Sequence, residues 1–239
     1  MTTNQQHKEN HMTITPTRIT RAAGVAAAVS GLIFIGVQIN HPHLDVRSIT
    51  TTDVIARNSL KLLMAALALV GITGMYAHQV KKIGLLGLFG FALFTAGYLG
   101  IACTEFVAAF ILPTLAHTAP AYTADLIAAA NNGKAIGDIG VMQNVIYLTG
   151  IGYLTGGLLF GLAMFRANVL PRWAAALLAV GTVASIGAAI LPQYERLFPI
   201  PTGIAMIGLG YALWRQRSAP VDSPVSTPVT SQLAALGAR

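Results

Sequence analysis

Charge is what this sequence has least of. Only 10% of its 239 residues are Asp, Glu, Lys or Arg, and 54% are hydrophobic. Soluble domains carry about 25% charged residues, so the composition excludes an ordinary soluble domain. Cysteine is also scarce: Cys103 is the only one, which excludes an intrachain disulfide and a cysteine-based metal site. The composition predicts an integral membrane protein.

Several motifs that carry chemistry are missing. The chain has no phosphate-binding Gly-rich loop with a lysine, no G-x-S-x-G and no H-E-x-x-H. No charged residue sits deep within the apolar segments, where proton pumps and voltage sensors ordinarily need one. We therefore expect no cofactor and assign no catalytic or metal-binding residue.

What the chain does have is long apolar runs, which favour membrane helices over an outer-membrane barrel. The longest is 83–112, which follows Lys81-Lys82 and is closed by Pro113. The predicted fold is all-α: a six-helix transmembrane bundle over residues 21–214, between disordered tails at 1–20 and 215–239. The predicted spans are about 22–40, 61–79, 83–112, 142–165, 173–191 and 197–214.

Basic residues predict how the bundle is oriented. Six spans put both termini on one side, and that side carries ten of the 15 Lys and Arg residues. The positive-inside rule makes this side cytoplasmic, so we expect a multi-pass protein of the cell membrane. The net charge of +7 then indicates contact with anionic lipid headgroups, and we expect no nucleic-acid partner. The ten residues are Lys8, Arg18, Arg21, Lys81, Lys82, Arg166, Arg172, Arg215, Arg217 and Arg239.

The longest connection, 113–141, has signals for one short helix. Thr123 is a plausible N-cap, and Asn131-Asn132-Gly133 is a plausible stop after Ala130. Such a segment is either a lid on the membrane surface or a spacer.

Small residues recur every four positions within two predicted spans, which lines them along one helix face. We interpret them as sites of close packing inside the bundle rather than as a dimerisation motif. They are Ala23, Ala27 and Gly31 in the first span, and Gly152, Gly156, Gly157 and Gly161 in the fourth.

Glu105 is the one charge within the run 83–112. It lies 22 residues from Ile83, about 33 Å of helix, which is the far interface of a hydrocarbon core about 30 Å thick. An ionisable residue inside a span is a functional candidate by default. The alternative is a structural ion pair with Arg57 or Lys61. Tyr98 shares the helix face of Glu105 and could line the same cavity.

Other polar residues are expected at the same membrane depth. His41 and His43 flank Pro42 at the exit of the first span, and Asn144 and Tyr147 begin the fourth. With Glu105 and Tyr98 they form a hypothetical outward-facing pocket. The two histidines with Glu105 could also hold a divalent ion, although ordinary hydrogen bonding at the interface is the interpretation we retain. In the alternative interpretation, these residues only mark the water-exposed ends of helices.

Some longer patterns resemble a known group. They are the His-Pro ending of the first span, Gly84-Leu-Leu-Gly-Leu-Phe-Gly after the basic turn, Glu105-Phe106, and Phe165-Arg-Ala leading to Leu170-Pro-Arg-Trp. Over about 21–214 they resemble small uncharacterised membrane proteins of high-GC actinobacteria. The resemblance implies a plasma-membrane location and brings no known activity.

Three functions remain open from the sequence. The first is binding or movement of a small hydrophobic or lipid-like molecule at Glu105. The second is an intramembrane enzyme acting on a lipid or isoprenoid, with Glu105 as general acid. The third is a non-catalytic accessory subunit that uses its helix faces. The sequence does not decide the oligomeric state.

Overall fold

The computed structural model describes residues 15–39, 42, 44–131 and 133–216. Within these ranges it is all-helical, with no strand. Short 3₁₀ turns occur at Ser48–Thr50 and Pro192–Tyr194. The helices are α1 (Pro16–Gly36), α2 (Thr52–Phe106), α3 (Leu112–Thr118), α4 (Pro120–Ala130), α5 (Met142–Ala167), α6 (Arg172–Ala184), α7 (Gly187–Ile190) and α8 (Ile200–Trp214).

Helix α2 turns back on itself near its middle. Gln79 leaves helical geometry, and Gly84 has φ 64° and ψ −171°, a conformation open almost only to glycine. The rings of Tyr76 and Phe91 stack with centroids 4.4 Å apart, whereas 15 residues of straight helix would separate them by about 22 Å. The predicted reversal beside Lys81-Lys82 is confirmed. We call residues 52–78 α2a and residues 85–106 α2b.

In the part of the chain that the structure describes, three helices are long and apolar enough to cross a membrane: Thr17–Gly36, the folded segment Thr52–Thr118, and Met142–Ala167. Helices α6 and α8 are apolar but shorter. Together these segments pack as a closed ring. Helix α1 contacts α2 and α8, α5 contacts α2 and α6, and α6 contacts α8.

Glycines allow the helix backbones of this ring to approach closely. A Cβ on Gly24 would lie 2.7 Å from the Gly210 carbonyl oxygen, which locates the contact of α1 with α8. A Cβ on Gly152 would lie 3.0 Å from a backbone atom of α2b, and one on Gly161 would lie 2.7 Å from a backbone atom of α6. The prediction that the small residues serve internal packing is confirmed.

The two ends of the bundle differ in charge. Arg21 Nε donates to the Trp214 carbonyl oxygen at 3.3 Å, so the first and last helices meet at one end. The turns 79–84 and 168–171 reach this same end, because α2a runs antiparallel to α1 and α5 runs antiparallel to α2b. We call it the basic end. Its described charges are Arg18, Arg21, Lys81, Lys82, Arg166, Arg172 and Arg215.

All described acidic residues belong to the opposite, distal end. There they are mixed with five basic residues, Arg47, Arg57, Lys61, Lys134 and Arg196. The acidic residues are Asp45, Asp53, Glu105, Asp125, Asp138 and Glu195.

Pro113 does not close the third predicted span, contrary to the sequence-based expectation. The backbone widens into a π-helix at Val107–Ile111 and then continues as α3 to Thr118. Proline removes a backbone donor and crowds the carbonyl four residues earlier, and a π-helix just before it relieves that crowding. The helical path therefore extends beyond Leu112.

Other predicted boundaries also shift. Helix α1 begins at Pro16, six residues before the predicted span, with Thr15 as its N-cap. The predicted span 173–191 is interrupted, because α6 ends at Ala184 and α7 starts at Gly187. Helix α8 starts at Ile200 rather than 197. Prolines 199 and 201 suit a helix start, where the missing donors are unneeded.

The connections at the distal end fold around a hydrophobic core of their own, which we call the distal core. Its buried residues come from the segment before α2, from the first turn of α2, from α3 and α4, and from the loop after α4. Thr123 is fully buried inside α4, so its predicted role as N-cap is wrong; Pro120 begins the helix instead. The predicted stop at Asn131 is confirmed. The core residues are Ile49, Val54, Leu112, Ala116, Leu126, Ile127, Ala129 and Ile139.

Candidate functional site: a polar layer between two cores

Lys61 and Glu105 form an ion pair between the two arms of α2. Lys61 Nζ lies 3.7 Å from Glu105 Oε1, and the two side chains are only 17% and 19% exposed. The antiparallel arms bring them together, and Tyr76 and Phe91 also meet across the arms nearer the turn. Of the two partners expected for Glu105, the structure selects Lys61. Arg57 is bound instead to Asp53, 3.0 Å away, and to the Ile39 carbonyl.

This pair lies between the bundle core and the distal core. On α2a, Met64 belongs to the bundle core and Val54 to the distal core, with Lys61 between them. On α2b, Ala102 packs on the bundle core. Beyond Glu105, Ala108 in the following π-helix packs on the distal core. Charge therefore interrupts an otherwise continuous apolar interior at one level.

Asn58 adds a neutral polar group to the same layer. It is 1% exposed, and its amide nitrogen Nδ2 has no hydrogen-bond acceptor among the described residues. Leaving a buried donor unsatisfied costs about 1–3 kcal/mol. We call Asn58, Lys61 and Glu105 the polar layer.

A small cavity is lined mainly by residues of the distal core and residues packed against it. Its volume is about 60 Å³, and only Thr104 and Asn131 contribute polar side chains to its lining. Thr104 precedes Glu105, and Ala108 follows one helical turn later. A cavity of this size exceeds the space of one water molecule, about 10–15 Å³ on this measure, and could take the end of an alkyl or isoprenoid chain. The residue of the cavity wall next to the polar layer in sequence is Thr104.

Tyr98 lies below this level, inside the bundle. It is 1% exposed, and its ring packs edge-on against Phe94 and Tyr153, at centroid distances of 5.0 Å and 5.8 Å. Tyr98 shares the face of Glu105, as the spacing predicted, but its described contacts are with the aromatic core. Tyr98 therefore belongs to the aromatic core and does not line the cavity.

The remaining predicted pocket residues fall elsewhere. Asn144 is exposed and Tyr147 is 62% exposed, and neither has a hydrogen bond or ring contact with Glu105. His41 and His43 lie outside the described residues. Within the ranges that the structure describes, no three His, Cys, Asp or Glu side chains are grouped closely enough to hold a metal ion.

Sequence reasoning did not single out the hydroxyl groups beside Tyr98. Tyr153 donates its hydroxyl to Thr202 Oγ1 at 3.4 Å, and Thr182 is fully buried one helix away. These residues come from α5, α8 and α6, near the distal ends of the two short helices. The one signal in the sequence was the presence of Thr182 within an apolar helix. That signal is weak, because Ser and Thr are common in such helices.

Searches for relatives leave this site without a precedent. No family model, curated protein or solved structure matches the chain. The resemblance to small actinobacterial membrane proteins stays a prediction. The polar layer and the shape of the bundle are therefore the features that bear on function.

Proposed function

We propose that the protein crosses the membrane six times, with both termini and the basic end in the cytoplasm. The closed ring and the charge difference between its ends support this topology. Helix α6 alone is about 20 Å long and α8 about 22 Å, short of a hydrocarbon core of about 30 Å. In the proposal, α7 extends α6 and the 195–199 turn extends α8 to complete these two crossings.

Cysteine labelling in intact cells tests this topology. In a Cys103→Ser background, Lys134→Cys at the distal end should react with a membrane-impermeant maleimide. Lys82→Cys should react only after the membrane is permeabilised. Labelling of Lys82→Cys in intact cells would overturn the orientation, and labelling of both positions would overturn a fixed topology.

We further propose that the protein binds a small or lipid-like molecule at the polar layer, on the outer side of the membrane. The observation that carries this proposal is an apolar cavity whose lining includes Thr104, the residue next to Glu105 of the buried ion pair. The buried Asn58 amide nitrogen, which has no acceptor among the described residues, supports it. Ligand sites are mostly apolar, with a few well-placed polar groups that fix orientation. Glu105 or Asn58 would bind the polar end of the ligand, while the cavity takes its apolar end.

Native mass spectrometry of the protein extracted from its membrane tests the binding proposal. The parent should carry a bound small molecule that Glu105→Gln loses. Ala108→Leu, which adds atoms at the cavity wall, should also lose it. Ala96→Leu is the matched control, because Ala96 is an exposed position on the same helix. It should retain the ligand.

Folding of each variant is checked by circular dichroism, so that loss of ligand is not confused with loss of structure. Ligand retained in folded Glu105→Gln and Ala108→Leu would overturn the site. Spectra of the parent with nothing beyond bulk lipid would overturn the function itself. That result would favour the accessory-subunit alternative, in which the helix faces bind a partner protein.

A further inference from the structure

An open groove lies between α6 and α8 at the basic end, far from the polar layer. Its volume is about 530 Å³. Gly208 forms part of the wall, and a Cβ there would lie 2.8 Å from Cζ2 of the Trp173 indole. Trp173 is 58% exposed and Tyr211 is 52% exposed. The groove is therefore framed by two aromatic side chains and one residue without a side chain.

The groove is also positively charged. Arg215 lines it, with its guanidinium 5.6 Å from the centroid of the Tyr211 ring. Arg172 adjoins it in sequence, between Pro171 and Trp173. The described part of the basic end holds seven basic residues and no acidic one, whereas the distal end holds five basic and six acidic residues. An anion is therefore attracted to this end and, among the described residues, meets no carboxylate that would repel it.

We propose that this groove binds the headgroup of an anionic phospholipid. Tryptophan and tyrosine concentrate at membrane interfaces, where an apolar ring meets acyl chains and a polar edge meets headgroups. Arginine binds phosphate oxygens through charge-assisted hydrogen bonds, and its guanidinium is more weakly hydrated than the ammonium of lysine. In this site Arg215 contacts the phosphate, Gln216 offers a polar side chain at the rim, and Trp173 packs on the acyl chains.

Fluorescence of Trp173 tests this site directly. The chain has two tryptophans, so Trp214→Phe leaves Trp173 as the only reporter. This variant is reconstituted into phosphatidylcholine vesicles that contain either brominated phosphatidylglycerol or brominated phosphatidylcholine at equal mole fractions. Bromine quenches tryptophan at short range, so the quenching curves compare the occupancy of the groove by the two lipids. Brominated phosphatidylglycerol should quench at a several-fold lower mole fraction.

Arginine variants separate a defined site from a general charge effect. Arg215→Gln should reduce the preference for phosphatidylglycerol about fivefold, the effect of one basic residue near a headgroup. Arg196→Gln at the distal end is the matched control and should leave the preference unchanged. Equal quenching by the two lipids in the Trp214→Phe protein would overturn the proposal. A preference that persists in Arg215→Gln would overturn the assignment to this groove.

Discussion

The Lys61–Glu105 pair is expected to couple strongly in a double-mutant cycle. Its atoms are 3.7 Å apart, and two unit charges at about 4 Å attract by about 4 kcal/mol at an effective dielectric constant of about 20. Desolvation, side-chain ordering and the remaining exposure of both groups oppose this attraction. We therefore expect a net coupling free energy of about 1–2 kcal/mol.

Thermal unfolding in a mild detergent measures this coupling in the full chain. Lys61→Met and Glu105→Gln should each lower stability by about 2 kcal/mol, because each leaves a partly buried charge or dipole without its partner. For a chain of this size that corresponds to about 4–8 °C in the midpoint. The double variant should be less destabilised than the sum of the two single variants.

The Asp53–Arg57 pair provides the control cycle. Its atoms are closer, at 3.0 Å, but the Asp53 side chain is 62% exposed and the two residues are one turn apart on the same helix. Such pairs contribute about 0.3–0.5 kcal/mol. If the Lys61–Glu105 variants prove additive, or couple no more strongly than this control, the pair is not held in a low-dielectric layer between two cores and the reasoning fails.

Three further predictions use matched variants. Gly156→Ala should lower the unfolding midpoint in detergent because its Cβ would clash with the backbone of α2b, whereas Gly150→Ala, with open space around it, should be neutral or stabilising. The backbone amides of residues 136 and 137 donate to the Asp125 carboxylate at 2.8 and 3.0 Å, so Asp125→Ala should speed their hydrogen exchange. Asp138→Ala should leave the exchange of these two amides unchanged, because Asp138 accepts from Gly140 instead. Asn58→Leu should raise thermal stability by about 1 kcal/mol and lose the bound ligand; a fall in stability would show that Asn58 is satisfied in the protein.

The sequence alone determined the class of fold and much of its local structure. A backbone in hydrocarbon must satisfy its own hydrogen bonds, so long apolar runs of this kind become helices whatever they pack against. The turn at 79–84 was predictable because two lysines interrupt the apolar run. Gly84 then supplies the backbone freedom that the reversal needs. The packing role of Gly152 and Gly161 followed from four-residue spacing on one face.

Only the tertiary structure decided which groups form the candidate site. Glu105 had two reachable cations in the sequence, and the register between the arms of α2 brought Lys61 to it while Asp53 bound Arg57. The distal core was not predictable, because its apolar residues come from short segments that lie far apart in the chain. Burial of Asn58 and exposure of Tyr147 likewise depend on where neighbouring helices pack. Helix formation is a local, backbone-driven event, whereas a site made across helices depends on long-range packing that no single segment encodes.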